Sequence, residues 1–581
     1  MIFGKHINKY YVRYWYAIAL GIAGLLLVDF FQLKIPELYR MVINGIDSNT
    51  LTLEFLLDDI CAPMLWIVVA MVFGRFLWRI ALFGAATKVE TDIRHEMFDK
   101  SKELSQEYYH ENKVGNLMSL YINDIETINE CFGDGMLMFF DALLLGSLAI
   151  YKMASMHGIL TLLTLIPMVF LLIVSTIVGK SMMSKWTKRQ EAFSALSDFA
   201  QESFSGIAVI KAFVREFYEL MRFKKLNRDN EEANVSFTRT STLMHIFVTL
   251  FVESVICIII GYGGYLVYID VFNAGQLIEF ISYFTSTIWP VMAVSTLIEM
   301  GSRGRASLKR ISELLDTEPT VKDRDGVVEI EDVKGNIEFK SLTFRYPGAD
   351  YDALSDASFK INAGENVGII GKTGSGKTTI VDLILRTYNV PDGTLFVDGV
   401  DVNSVSIRSL RSYCAYVPQD NFLFSDTIAN NIAFANTDAD RSVIENAARL
   451  ADIHDNICEF TDKYDTMLGE RGVTVSGGQK QRISIARALM KNASILVLDD
   501  SVSAVDTKTE SVIINNLREN RAGKTTILIA HRISTVERMD KIIYVDDGKI
   551  LAVGTHDELV STCPDYAKMV ELQKLDEERE A

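Results

Sequence analysis

Residues 495–506 read ILVLDDSVSAVD, four apolar residues running into two aspartates, Asp499 and Asp500. An acid at the end of such a buried-strand pattern can hold a metal ion, and a second acid beside it can polarise a water. Asp506 follows in the SAVD turn. Upstream, the strand-like GENVGII (364–370) leads into GKTGSGKT, Gly371 to Thr378, and then into an apolar helix pattern. This context fits G-x-x-x-x-G-K-[ST], in which glycines let backbone N–H groups turn inward around phosphate oxygens. The cradle runs from Gly371 through Thr373, Gly374, Ser375 and Gly376 to Thr379; Lys377 reaches the terminal phosphates and Thr378 can ligate Mg²⁺.

Further residues fall in an order that suits the same chemistry. Tyr346 in FRYPG offers a ring face to an adenine, and Gln419 in YVPQDNFLF can present an amide oxygen to the metal held by Thr378 and Asp499. VSGGQKQR (475–482) sets Ser476, Gly477, Gly478 and Gln479 at a helix N-terminus, a second anion-binding geometry. His531 follows the strand TTILIA. Singly, Tyr346 also fits a packed turn aromatic, Gln419 a surface amide and His531 a capping residue. In this order and together they fit a nucleotide site.

All of this lies in the second half of 581 residues, enough chain for several domains. The first half is different. Apolar runs near 14–34, 60–82, 132–154, 158–179, 243–269 and 276–300 are each long enough for about 30 Å of hydrocarbon, which takes roughly 20 helical residues. The first run has too long a core for a signal peptide and more spans follow it, so it reads as a retained helix. Lys and Arg crowd 180–242, whereas 44–59 is acidic, which places the N-terminus and the two long loops (83–131 and 180–242) in the cytoplasm. Both loops carry helical periodicity with a glycine-marked turn, at 114–128 and 204–213. The net charge of −17 disfavours a nucleic-acid binder, and the six scattered cysteines offer neither a zinc site nor a disulfide frame. The expected architecture is an α-helical membrane domain (1–315), a charged linker (316–335) and an α/β P-loop nucleotide-binding domain (336–581).

With these motifs in this order, the chain resembles an ABC exporter half-transporter of the type IV fold over nearly its whole length. The resemblance implies ATP and Mg²⁺ as cofactors, a location in the cell membrane, and a second half-transporter as partner. In that family each ATP lies between the P-loop of one chain and the SGGQ residues of the other, with Asp506 nearby. The turns near 114–120 and 204–213 resemble the helices that couple the two domains. Most members have glutamate where this chain has Asp500, which the family uses with His531 for catalysis. Aspartate is one methylene shorter, so its carboxylate falls roughly 1–1.5 Å short, a misplacement that can cost about 10²-fold in rate. The departure resembles the degenerate-site subunit of bacterial heterodimeric multidrug exporters, which extrude hydrophobic or amphipathic compounds such as drugs or lipid-like molecules. A homodimer with two slow sites, and an ATP-gated channel or regulatory subunit, are the alternatives.

Acids inside the spans are candidates for substrate contact, because burying them is costly. Asp29, Asp141 and Glu253 lie within the runs, with Asp141 and Glu253 on the cytoplasmic side. Arg75, at a similar depth, could instead neutralise Asp141 or Glu253 as an ion pair.

Overall fold

The structure, a computed structural model, describes residues 3–469, 472 and 475–580, with the side chains of residues 172, 175, 176, 180, 295 and 576–580 outside that description. The chain divides into two compact units, Met1–Lys102 with Val114–Thr317, and Glu103–Lys113 with Glu318–Ala581. In chain order the helices used below are α1 (Trp15–Gln32), α2 (Ala62–Glu103), α3 (Gln106–Glu111), α4 (Asp134–Met156), α5 (Gly158–Ser205), α6 (Ile207–Ala212), α7 (Glu216–Tyr268) and α8 (Ala274–Asp316).

The first unit is built from long rods. Helix α7 has 53 residues, about 80 Å at 1.5 Å per residue, far more than the bilayer core requires. In α2, α5 and α7 the span continues into the cytoplasmic segment as one helix, because helical periodicity carries through from apolar to polar sequence and Gly84 and Gly179 near two of the junctions do not break it. Among the described residues, five helical runs are long and apolar enough to cross a membrane: Trp15–Asp47, Leu53–Glu103, Val114–Met156, Glu216–Tyr268 and Ala274–Asp316. The expected span 158–179 lies in α5 but runs over side chains outside those described, and the apolar helix segment free of them is Gly158–Leu171. Small residues set the closest packing. A Cβ on Gly24 of α1 would meet the Trp78 amide nitrogen at 3.0 Å, and one on Gly74 of α2 would meet Val28 at 2.7 Å. Glycine there lets two backbones approach where lipid supplies no hydrophobic drive.

The turn expected within 114–128 falls just before it: the chain leaves helix at Asn112 and Lys113, and Gly115 is the second residue of the helix Val114–Ser119, with open space around it. The short helix α3 ends at this bend and belongs to the second unit, with the Ser105 hydroxyl 2.6 Å from that of Thr320. Polar and aromatic residues in SQEYYHEN carry it rather than a glycine. The other turn falls at Gly206, and no residue of the following α6 is buried.

In the second unit, residues 318–335 pack rather than hang as a linker. Asp323 accepts from the Ile407 amide at 2.9 Å, and Val328 bridges Val405. Two sheets follow. The smaller is antiparallel, in the order β2 (Leu354–Ile361), β1 (Ile337–Phe344), β4 (Leu395–Val397), β5 (Val400–Asp401). The larger runs β10 (Lys549–Gly554), β9 (Lys541–Asp546), β3 (Asn366–Gly371), β8 (Thr525–Ala530), β7 (Ile495–Asp499), β6 (Cys414–Val417). It is parallel except for the edge strand β10. Both of its faces are covered, which is why its strands read as unbroken apolar runs. Leu496, Leu498, Leu528 and Ala530 enter one core, and Ile495, Val497, Ile527 and Ile529 the other. The helices used below are α9 (Lys377–Ile384), α10 (Gly477–Met490), α11 (Thr507–Asn520) and α12 (Pro564–Glu580).

The smaller sheet is fastened at the entry to β1 by one carboxylate. Asp398, at φ +48°, accepts from the backbone amides of Lys334 (2.7 Å), Gly335 (3.3 Å) and Asn336 (2.8 Å). Burial pushes its pKa up, but the Asn336, Gly335 and Lys334 donors outweigh burial and hold it below the usual carboxylate range. Asp398→Ala should destabilise this unit by about 1.5–3 kcal/mol, read as earlier thermal loss of protease resistance. Because the folded pKa is depressed, the stabilisation is complete above the unfolded value near about 4. It fades as the pH falls through the lowered folded value, so the gap between wild type and variant should close in acid.

Candidate functional site

Strand register gathers the chemistry at one edge. Ile370 of β3 stands opposite Ala530 of β8, Ile529 opposite Asp499 of β7, and Leu498 opposite Val417 of β6. Gly371, His531, Asp499 with Asp500, and Gln419 therefore emerge side by side at the carboxyl ends of four parallel strands, where ligands bind open α/β sheets.

The loop from β3 to α9 is shaped by close approach. A Cβ on Gly371 would lie 1.9 Å from the Val545 carbonyl oxygen, so only glycine fits. Gly374 and Gly376 have φ of +80° and +98°, turning successive amides into an anion nest. Lys377 is 6% exposed, and its Nζ donates to the Gly371 (2.9 Å) and Lys372 (2.7 Å) carbonyls. Burial lowers its pKa, against the pull of Asp499 and Asp500. Ser375 Oγ is buried without a partner, and Thr373 and Thr378 are exposed toward solvent.

Asp499 is 1% exposed, and its Oδ2 has no donor among the described residues. Burial raises its pKa, with Asp500 adding to the rise and the Thr378 hydroxyl, Lys377 and His531 opposing it. An orphaned carboxylate oxygen beside a hydroxyl is what a hard divalent cation needs, so the residues fit Mg²⁺. Thr378 and Asp499 would hold it. Gln419 directs Nε2 toward Asp500 Oδ2 at 3.5 Å, which leaves its amide oxygen for the metal. Mg²⁺ there would neutralise charge on the phosphate oxygens.

Asp500 has φ +46° and is fixed by its backbone. Its amide donates to the Ile529 carbonyl (3.0 Å), and its carbonyl accepts from Ser503 Oγ (2.9 Å) and Gln481 Nε2 (3.4 Å). Gln481 also accepts from the Ala504 amide at 3.0 Å. Gln481 carries no motif signal of its own in VSGGQKQR; the fold shows it fastening α10 to two points of the loop after β7.

Tyr346 is held on both sides. Its hydroxyl lies 3.0 Å from Thr379 Oγ1 and 3.2 Å from Asp382 Oδ2, and the rings of Phe344 and Tyr388 meet it edge-on, each at 5.1 Å. Burial pushes Asp382 up to about 6, with Tyr346 and His110 opposing and Asp499 adding. Tyr388 accepts or donates at 3.0 Å to His110 Nδ1 of α3. Asp382 and Tyr388 carry no motif signal.

Ser476 and Gln479 form a reciprocal cap on α10. Gln479 Oε1 accepts from the Ser476 amide at 2.9 Å, and Ser476 Oγ accepts from the Gln479 amide at 3.3 Å. Gly477 has open space around it, whereas a Cβ on Gly478 would meet the Ala504 carbonyl at 2.9 Å. Among the described residues no hydrogen bond joins Ser476–Gln479 to Gly371–Thr379. Asp506 spends Oδ1 on the Lys508 (3.1 Å) and Thr509 (3.0 Å) amides, capping α11.

In the membrane unit the two candidate acids are separate. Asp141 of α4 accepts from Trp289 Nε1 of α8 at 2.7 Å and borders a cavity of about 360 Å³ with Gln32, Thr285 and Ser286. Buried Asp29 stands against Asp141, and its Oδ2 finds no donor. Glu253 is exposed on a face of α7 with His245, Thr249 and Cys257. Arg75 is exposed and forms no ion pair among the described residues, so the anticipated Arg75 pairs are not made; an indole takes the place at Asp141.

Two outcomes follow from this geometry. Gly371→Ala should abolish nucleotide binding, checked by equilibrium titration, since no side chain can yield to a backbone carbonyl at 1.9 Å. Asp499→Asn should remove the Mg²⁺-dependent gain in ATP affinity while leaving the metal-free affinity within about twofold or raised, because the buried charge is gone.

Residues 18–291 match the model of the ABC transporter transmembrane region, and residues 354–503 that of the ABC transporter family. The chain is 36% identical to the probable multidrug resistance ABC transporter ATP-binding/permease protein YheI of Bacillus subtilis (strain 168), over 98% of this chain and 97% of that one. It is 35% identical to the multidrug resistance-like ATP-binding protein MdlA of Escherichia coli (strain K12), over 98% and 96%. A solved bacterial Atm1-family ABC exporter with ATP bound superposes with a TM-score of 0.81 at 26% identity, over 97% of this chain and 99% of that one. The chain therefore belongs to the ABC transporters, as a membrane-spanning exporter with a fused cytoplasmic nucleotide-binding domain that couples transport to the hydrolysis of ATP with Mg²⁺.

Proposed function

We propose that this chain is one half of a heterodimeric exporter of amphipathic drugs or lipid-like compounds, with six spans in the membrane. Its own site binds MgATP and hydrolyses it slowly. The observation that carries this reading is the fixed backbone of Asp500. A shorter acid could serve only if the main chain moved about 1–1.5 Å toward the phosphate. Bonds to Ile529, Ser503 and Gln481 oppose that movement on both peptide groups.

In this reading Gly371–Thr379 hold the phosphates and Tyr346 the adenine. Thr378, Asp499 and Gln419 bind Mg²⁺, and His531 meets the γ-phosphate. Ser476, Gly477, Gly478 and Gln479, with Asp506, complete the partner's competent site. That Ser476–Gln479 make no bond to this chain's own P-loop supports a site shared between chains. The substrate reading rests on carboxylates. Asp141 beside an indole, with Asp29 behind it, suits an organic cation, which carboxylate and ring face both attract.

The test is steady-state ATPase of the assembled transporter. Ser476→Ala should abolish most turnover, Asp500→Asn should cost less than about threefold, and Asp500→Glu should add turnover, weakly if the partner's signature is altered. An Asp500→Asn loss as deep as that of Ser476→Ala, or rapid turnover by this chain alone, would overturn the reading. Replacing Asp141 or Glu253 by its amide should weaken vesicle export of cationic compounds by about tenfold more than that of neutral ones. Equal losses on both would remove these acids from the substrate path.

A further inference from the structure

His531 leaves β8 just where the strand ladder stops. The last pairs of β8 are Ala530 with Ile370 and Ile529 with Asp499. Peptide groups beyond this point need other partners, and so does any fixed aim of the imidazole. One side chain supplies them. Gln573 Nε2 donates to the His531 carbonyl at 2.7 Å, and Gln573 Oε1 accepts from the Ile533 amide at 2.7 Å. The carbonyl can only accept and the amide can only donate, so a single orientation of the glutamine satisfies both. The two bonds grip the segment 531–533 at its ends.

Gln573 is itself delivered by the core. Tyr566, Met569, Val570 and Gln573 recur at i, i+3, i+4 and i+7 and so share one face of α12. Tyr566 is fully buried, its hydroxyl is 2.9 Å from His556 Nδ1, and Val570 and Met569 pack into the same core. The opposite side of the loop is held as well. Buried Glu510 of α11 accepts from Thr535 Oγ1 through Oε1, and its Oε2 lies 3.8 Å from Arg532 Nη1. Helix α11 is the one capped by Asp506.

We infer that Gln573 is a positioning residue for the γ-phosphate end of the nucleotide site, acting through His531. The inference rests on the reading of His531 as the γ-phosphate contact. Helix α12 thereby sets how strongly this site distinguishes ATP from ADP, and Glu510 ties the same loop to the helix that starts at the shared interface.

The experiment titrates the full-length chain with MgATP and MgADP, comparing wild type, His531→Ala, Gln573→Met and Gln573→Glu. Methionine keeps the volume and removes both bonds. Gln573→Met should lose roughly tenfold of the preference for ATP over ADP, with ADP affinity within about twofold of wild type. Gln573→Glu should match it at pH 8, where a carboxylate faces the His531 carbonyl. As the pH falls through the carboxyl's titration the protonated acid can donate again. The Gln573→Glu preference should then recover relative to Gln573→Met at the same pH. If His531→Ala loses the preference while Gln573→Met keeps it, the positioning role is overturned. Parallel losses of ATP and ADP affinity without acid recovery would overturn it too, by making Gln573 a packing residue. If His531→Ala keeps the preference, the underlying reading of His531 falls, and that outcome is distinct from both others.

Discussion

A carboxylate oxygen held in a dry place without a donor is the constraint on which the nucleotide-binding domain turns. Asp499 is buried at the end of β7, with Lys377 and Thr378 beside it. Leaving charge there is costly unless it is paired, and the partial pairing by lysine and hydroxyl leaves one oxygen over. Mg²⁺ bound there would complete what the side chains leave incomplete. The register of the parallel sheet is what brings Gly371, Asp499 and His531 level beside that oxygen.

Around that oxygen, precision comes from backbone atoms more than from side chains. Asp500 is held by its own amide and carbonyl, His531 and Ile533 by the two ends of one glutamine amide, and α10 and α11 by caps at Ser476 and Asp506. Such bonds fix where a side chain starts, so side-chain length becomes decisive. On the proposed reading, that is how one methylene at position 500 would come to matter to mechanism.

The membrane unit solves a different problem. Helix association in lipid relies on close packing, and Gly24 and Gly74 provide it between α1 and α2. Against that tight background, Asp29 and Asp141 are the exception, two acids side by side with an indole as the hydrogen-bond donor. Polar groups so placed are expensive in a bilayer.

Much of this was readable from the residues. Local patterns carry the P-loop, the apolar strand before Asp499, the capping Ser476 with Gln479 three residues on, and the long apolar runs, because each depends on neighbours within a few positions. What reading could not supply depends on partners far away in the chain. Gly115 reads as a turn, yet the bend falls just before it, at Asn112 and Lys113 after the helix Gln106–Glu111. Arg75 could by its depth pair with Asp141 or Glu253, yet Trp289 is the neighbour of Asp141, because helix rotation decides which side chains face each other and composition does not record rotation. Gln481, Asp382, Tyr388, Glu510 and Gln573 look like ordinary surface letters. They gain roles only when strands from four parts of the chain align and put their backbone ends within hydrogen-bond reach. Sequence determined the kinds of chemistry present; the tertiary fold decided which atoms meet, since a hydrogen bond is a matter of tenths of an ångström between residues hundreds apart.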